Sequence, residues 1–222
     1  MPGDQGTDEN KRYFDLTTPG DLKRGIFNAI ICPRPIGWIS TVNGEGVPNL
    51  APFSYFNIVS SSPAILAFST NTPEDRQQKD TLANVQANGE FVFNLASLAL
   101  IEAVNTTSTP LPHGHDEFEF AGVAKAASVQ VKPPRVAASP ANLECKVLKI
   151  VRFGEGEGEV PCHVTFGKVV AMHLNEDCLD EAGRFLTAKA NPVARLGGIQ
   201  YAVSAEPFEL RRQFQRARET SY

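Results

Sequence analysis

From residue 36 onward the chain alternates short apolar runs with turn-forming residues. Ile36–Val42 is rich in β-formers and ends at Asn43-Gly44-Glu45-Gly46, a hairpin signal. A second run, Asn49–Val59, and a third, Ala64–Thr70, would complete a meander. Pro52 marks the second run as an edge or distorted strand, because proline brings no amide hydrogen to a ladder. The period then changes. In Lys79–Asn88 (KDTLANVQAN), Leu82, Val85 and Gln86 follow helical spacing, Asp80 or Thr81 can cap the start, and Gly89 suits the stop. Glu90–Ala96 (EFVFNLA) reads as a strand and Ser97–Val104 as a short helix. Thr106–Phe120 is a long turn-rich stretch, a length usually reserved for function or disorder. Asn142–Phe153 and Cys162–Asn175 read as two strands joined at the glycine-rich Gly154–Gly158. Near the start, Asp21–Ala29 predicts a short helix that Pro33 and Pro35 prevent from continuing.

The order is therefore strands, helix, strand, helix, loop, strands. It lacks the βαβ alternation of a doubly wound parallel sheet and predicts a mainly β protein, a closed or nearly closed antiparallel barrel with a few peripheral helices. Residues 1–13 read as a flexible arm, residues 14–205 as one domain, and residues 206–222 as a polar tail, helical in part. That tail carries Arg211, Arg212, Arg216 and Arg218 between Glu209 and Glu219, the pattern of a solvated face.

Composition narrows the function classes. A net charge of -4 offers no basic stripe for nucleic acid. The four cysteines include no Cys-x-x-Cys pair, which disfavours zinc and suits reduced thiols. The start, MPGDQGTDENKR, has no apolar leader, and the apolar stretch around Leu95–Val104 is too short to span a bilayer. A cytoplasmic protein without membrane contact is expected.

Enzyme fingerprints are scarce. No dinucleotide fingerprint, phosphate loop or nucleophile elbow is present, and the acids in Gly154-Glu155-Gly156-Glu157-Gly158 would repel phosphate. His113 and His115 adjoin Asp116 and Glu117, yet too few ligands converge for a metal site to be expected. Three segments carry more. Trp38 lies close to Ser40-Thr41 in a predicted strand; polar and aromatic residues alternate through Asn49–Asn57; and Ser69-Thr70, with Lys79-Asp80-Thr81 at a helix start, could cradle a phosphate. Core packing and capping are the better explanation of each segment taken alone.

Together they are more specific. PRPIGWIST, NLAPFSYFN, KDTLANV, EFVFNL, HDEF and ARLGGIQYA occur in that order between about Phe14 and Tyr201. This series resembles the flavin-reductase-like, flavoredoxin-like family of FMN proteins. The resemblance implies a Greek-key split β-barrel over residues 14–205, working as a homodimer with FMN near the subunit interface. It implies Trp38 and Thr41 beside the flavin, and Asn49, Ala51, Ser54 and Asn57 along its ring and ribityl chain. Ser69, Thr70, Lys79, Asp80 and Thr81 would lie at its phosphate. Arg195, Gly197, Gly198 and Tyr201 would return to the site or the interface, and His113 and His115 could approach the flavin. The tail after Pro207 lies outside the matched motifs.

The activity so implied is hydride transfer from NADH or NADPH to flavin, chemistry the cofactor itself performs. Reduced flavin would pass to a partner oxygenase. An FMN electron carrier, a non-catalytic FMN binder and an oxidase on the related pyridoxamine-phosphate-oxidase barrel are the alternatives.

Overall fold

The computed structural model describes residues 11–16, 25–72, 78–154, 156, 159–203 and 207–210. The elements run α1 (Ile26–Ile30), β1 (Arg34–Pro35), β2 (Gly37–Val42), β3 (Pro48–Phe53), β4 (Phe56–Ser61), β5 (Ala64–Asn71), α2 (Asp80–Asn88) and β6 (Glu90–Leu95). After a 3-10 turn at Leu98–Leu100 come α3 (Ile101–Thr106), α4 (Glu117–Phe120), β7 (Lys125–Ala126), β8 (Arg135–Val136), β9 (Ala141–Phe153) and β10 (Cys162–Leu174). A second 3-10 turn precedes α5 (Thr187–Ala190), β11 (Val193–Arg195) and β12 (Tyr201–Val203). Residues 1–10 of the predicted arm, residues 21–24 of the first predicted helix, most of the Gly154–Gly158 tip and the arginines of the tail fall outside the described residues.

Seven strands form one antiparallel sheet in the order β3-β2-β6-β9-β10-β5-β4. Two smaller ladders, β1-β11-β12 and β7-β8, flank it. The sheet curls on itself. One core cluster draws Ile39 from β2, Phe53 from β3, Phe68 from β5, Leu82 and Val85 from α2, and Phe91 from β6. Rings from both halves of the sheet meet there, with Phe53 and Phe68 at 5.3 Å and Phe68 edge-on to Phe91 at 5.2 Å. At the seam Phe56 stacks on Phe93 at 4.9 Å, and a Cβ at Gly37 would stand 2.5 Å from the Phe56 ring. Only glycine lets β4 approach β2 this closely. A second cluster on the outer face joins Ile36, Trp38, Leu50, Val104, Phe118 and Val136. β2 is therefore buried along its whole length. The observed architecture is the mainly β barrel with peripheral helices that the sequence predicts.

Two expectations change. The run Asn49–Val59 is not one strand: the chain bends at Ser54-Tyr55, and its halves, β3 and β4, take opposite edges of the sheet. The first three runs are thus two separate hairpins and not a meander. Phe53 and Phe56 flank the bend, and each finds ring partners inside the barrel. The predicted helix Ser97–Val104 begins as a 3-10 turn and becomes α-helical only over Ile101–Thr106.

Glu144, on β9, is fully buried. Its carboxylate accepts from the amides of Val129 (2.9 Å), Gln130 (2.6 Å) and Val131 (3.2 Å) and meets His173 Nε2 at 2.6 Å. Burial works against its charge, but these partners outweigh burial and hold its pKa below the ordinary carboxylate value.

Candidate functional site

The polar residues of β2, β3 and α2 first serve one another. Asn84 donates to Thr41 Oγ1 at 2.9 Å, Asn49 donates to Thr81 Oγ1 at 2.9 Å, and Asn88 donates to the Val42 carbonyl at 2.7 Å. Thr41, Asn49, Thr81 and Asn84 are all buried. These bonds clamp α2 across the β2–β3 hairpin and fix where its N-terminus opens. Gly89, with φ 68°, stops the helix at its other end by donating to the Val85 carbonyl.

A cleft of about 150 Å³ opens at that N-terminus. Asn49, Ala51 and Pro52 form one wall, Lys79, Asp80 and Thr81 a second, and the segment from Thr107 to Leu111, with Glu117, closes the third. No side chain caps α2, so the dipole end of a nine-residue helix faces the cleft beside Lys79. Lys79 Nζ lies 5.7 Å from the Phe53 ring centroid. Asp80 turns away from the capping role predicted for it. It meets His113 Nδ1 at 2.7 Å and accepts from the Gly114 amide at 3.3 Å, which ties the long segment to the helix start.

Trp38 is fully buried in the outer core and donates to Thr107 Oγ1 at 2.9 Å. It touches the cleft through Thr107 and does not line it. Ser54 lies in an adjoining hollow that shares Pro52 and Ser108 with the cleft. Asn57 and Ser69 lie with Ser54 in a third hollow beside Tyr55 and Phe68. Thr70 is buried, with its hydroxyl 3.5 Å from the His163 carbonyl. The structure thus gathers Asn49, Ala51, Lys79, Asp80 and Thr81 around one cleft and spreads Ser54, Asn57, Ser69 and Thr70 beyond it. His115 bonds within its own turn, to the Pro112 carbonyl.

Glu117, weighed from sequence only as a metal ligand, also lines the cleft. Asp116 caps α4 through the amides of Phe118 and Glu119, and that short helix lays Glu117 against β3. Glu117 Oε2 accepts from the Leu50 amide at 3.0 Å. Burial raises the Glu117 pKa above its ordinary value; the Leu50 amide opposes the shift, while Asp80 and Asp116 add to it. The contact spans residues 50 and 117, so no local sequence pattern announces it. The same contact closes the β3 edge. Outward-facing amides alternate along an antiparallel edge, so Pro48 and Pro52 hold the positions flanking Leu50. Neither has an N–H, and Leu50 is taken, so the β3 edge offers no free backbone donor to a ligand.

A family model described as the flavin reductase like domain matches residues 30–192. The chain belongs to that family. A protein of Bacillus subtilis, YwrF, is 36% identical over 186 residues, covering 83% of this chain and 90% of its own length. Among solved structures, component B of nitrilotriacetate monooxygenase from Bacillus cereus superposes with a TM-score of 0.82 at 30% identity, over 90% of this chain and 100% of that one. The Pseudomonas fluorescens 2-nitrobenzoate 2-nitroreductase NbaA gives 0.78 at 26% identity, over 90% and 95%. The flavin reductase-like chain therefore has the split-barrel fold and is tied to flavin chemistry. Among the described residues, no group of His, Cys, Asp and Glu is placed to hold a metal ion, and no helix is long and apolar enough to cross a membrane.

Proposed function

We propose that the chain binds FMN across the cleft and acts as an NAD(P)H-dependent flavin reductase. The observation that carries this reading is the pairing of Lys79 with an uncapped helix start at the cleft mouth, in a chain of the flavin reductase-like family. The residues present fit the group. An ammonium and helix amides suit a phosphate, Asn49 and Thr81 offer hydroxyl and amide chemistry to a ribityl chain, and the walls at Ala51, Pro52 and Leu111 are apolar enough for a ring.

When bound, FMN supplies the ring that accepts a hydride and passes its electrons on. The chain's own residues position and shield. Lys79 and the α2 dipole hold the phosphate, while the clamp between Asn49 and Thr81 keeps both walls in register. The segment from Thr107 to Leu111 narrows access for water. The β3 edge would supply no backbone amide to a bound ring, because Pro48 and Pro52 have none and that of Leu50 is engaged by Glu117. Glu117, with its raised pKa, is the carboxyl at the cleft most ready to hold a proton, on Oε1, since Oε2 engages Leu50. Without a dinucleotide fingerprint, a nicotinamide would be held beside the flavin by the Thr107–Gly114 segment.

The likeness to a monooxygenase component supports delivery of reduced flavin to a partner oxygenase. The test is an absorption spectrum under nitrogen before and after NADH or NADPH. Bleaching of the bound flavin by either nicotinamide is expected. FMN that binds but is bleached by neither would overturn the reductase reading and leave a flavin carrier.

A further inference from the structure

The hollow next to the cleft is built around two arginines. β1 and β11 pair so that Arg34 stands directly opposite Arg195. Both line a hollow of about 520 Å³, which shares Pro52 and Ser108 with the cleft. Like charges facing each other across a ladder destabilise it. No acidic side chain lines the hollow among the described residues, so no counter-charge offsets them there. Arg34 is 8% exposed, and its guanidinium donates only to backbone carbonyls, those of Asn28, Ile31 (2.7 Å) and Leu196 (3.0 Å). Its Nε is buried with no partner. Arg195 is held in place by its donation to the Tyr201 hydroxyl at 2.5 Å and to the Gly198 carbonyl, with its guanidinium 4.5 Å from the Tyr201 ring centroid. A buried charge without a counter-charge is costly, and Arg34 is such a charge, with the half-buried Arg195 opposite it adding like-charge repulsion.

We infer that this hollow binds a small organic carboxylate, its anionic group between Arg34 and Arg195 and its apolar body against Ile36, Val104 and Ile199. Guanidinium N–H groups match the two oxygens of a planar carboxylate. The apolar lining gives the body of such an acid a place that inorganic phosphate cannot use. Because the hollow and the cleft share a wall, the acid lies beside the ring and becomes the substrate or effector of the flavin. That last clause rests on the proposed function, whereas the anion site itself does not.

The test uses the full-length protein without added flavin, with benzoate as probe and benzyl alcohol as its neutral counterpart. Calorimetric titration and thermal denaturation are read together. Benzoate is expected to bind in about the millimolar range or tighter and to raise Tm; benzyl alcohol is expected to do neither. Arg195→Gln is expected to weaken benzoate at least about tenfold, the effect of losing one charge-assisted bond. It should also remove the Tm gain. No binding of benzoate to the wild-type protein, or equal binding of the acid and the alcohol, overturns the inference without any variant having to fold. Equal benzoate affinity in the variant overturns the assignment to Arg195. Adding FMN separates the remaining source of an anion. If FMN displaces benzoate, and Arg195→Gln weakens FMN but leaves riboflavin unchanged, the arginines hold the flavin's own phosphate and the second-ligand inference fails. If benzoate binds and FMN does not, the anion site stands while the flavin reading falls.

Discussion

At the scale of single residues, the titratable groups have opposite signs. The Glu144 pKa is lowered, so the stability it contributes is present above its ordinary value of 4.5 and is lost as pH falls through the lower folded value. The Glu117 pKa is raised, so its contribution is present below 4.5 and is lost as pH rises through the higher folded value. Urea denaturation between pH 3 and pH 8 checks both. Glu144→Gln is expected to cost about 3 kcal/mol near neutral pH, because it disturbs a buried bonded network, with the gap to wild type closing in acid. Glu117→Gln keeps an acceptor for Leu50 and removes the buried charge. It is expected to equal or exceed wild type at pH 7, by up to about 1 kcal/mol, with the advantage vanishing below pH 4.5. A third substitution addresses the cleft. Lys79→Ala is expected to weaken FMN by about 1.5–3 kcal/mol and riboflavin hardly at all, measured by fluorescence titration. Equal losses for both flavins would place Lys79 away from the phosphate.

At the scale of elements, the segment between α3 and α4 joins the chemistry to the core. Trp38 anchors Thr107, and Asp80 holds His113 and Gly114, so the residues between are suspended over the cleft from two fixed points. Removing Thr109–Pro112 is expected to raise KM for the nicotinamide several-fold while FMN affinity changes little, as read by steady-state kinetics beside flavin titration. An equal loss of FMN affinity would make the segment a wall of the flavin site itself. These elements also show what a sequence can disclose. α2 was legible because helical spacing, a polar start and a terminal glycine are local signals, and β6, β9 and β10 were legible as apolar runs. The division of Asn49–Val59 was not, since it depends on where Phe53 and Phe56 find ring partners across the barrel. Family motifs drew attention to Thr41, Asn49 and Thr81, and Asn49, Thr81, Lys79 and Asp80 do meet at one cleft. What motifs could not disclose is that Thr41, Asn49 and Thr81 bond to other residues of the same clamp. Glu117, and Arg34 facing Arg195, depend on pairings between segments far apart in the chain, which no local pattern carries.

At the scale of the whole molecule, the two edges of the sheet differ. The β3 edge is closed from within by Pro48, Pro52 and Glu117, so it needs no second subunit to cover it. The β4 edge leaves Ile58 and Val59 exposed, and α1 presents Phe27, Ile30 and Ile31 on the surface; Tyr55, at the bend before β4, bonds to Asn28 of α1 at 2.7 Å. A homodimer built on that side would cover about 800 Å² per partner if it is of standard size. Light scattering is expected to give twice the chain mass, and Ile58→Asp to shift it toward monomer. A wild-type monomer that still binds FMN tightly would contradict a site shared between subunits.

The strand order also has a consequence for synthesis. The β2–β3 and β4–β5 hairpins leave the ribosome first and follow each other directly, yet they occupy opposite ends of the finished sheet. What joins them, β6, β9 and β10, is made later, up to Leu174. Until then the nascent chain carries two unfinished hairpins whose neighbouring edges must not pair with each other. Pro48 and Pro52 on the first of them keep one of those edges from ever becoming a template, so the features that close the cleft wall in the native barrel also guard the order in which it is assembled.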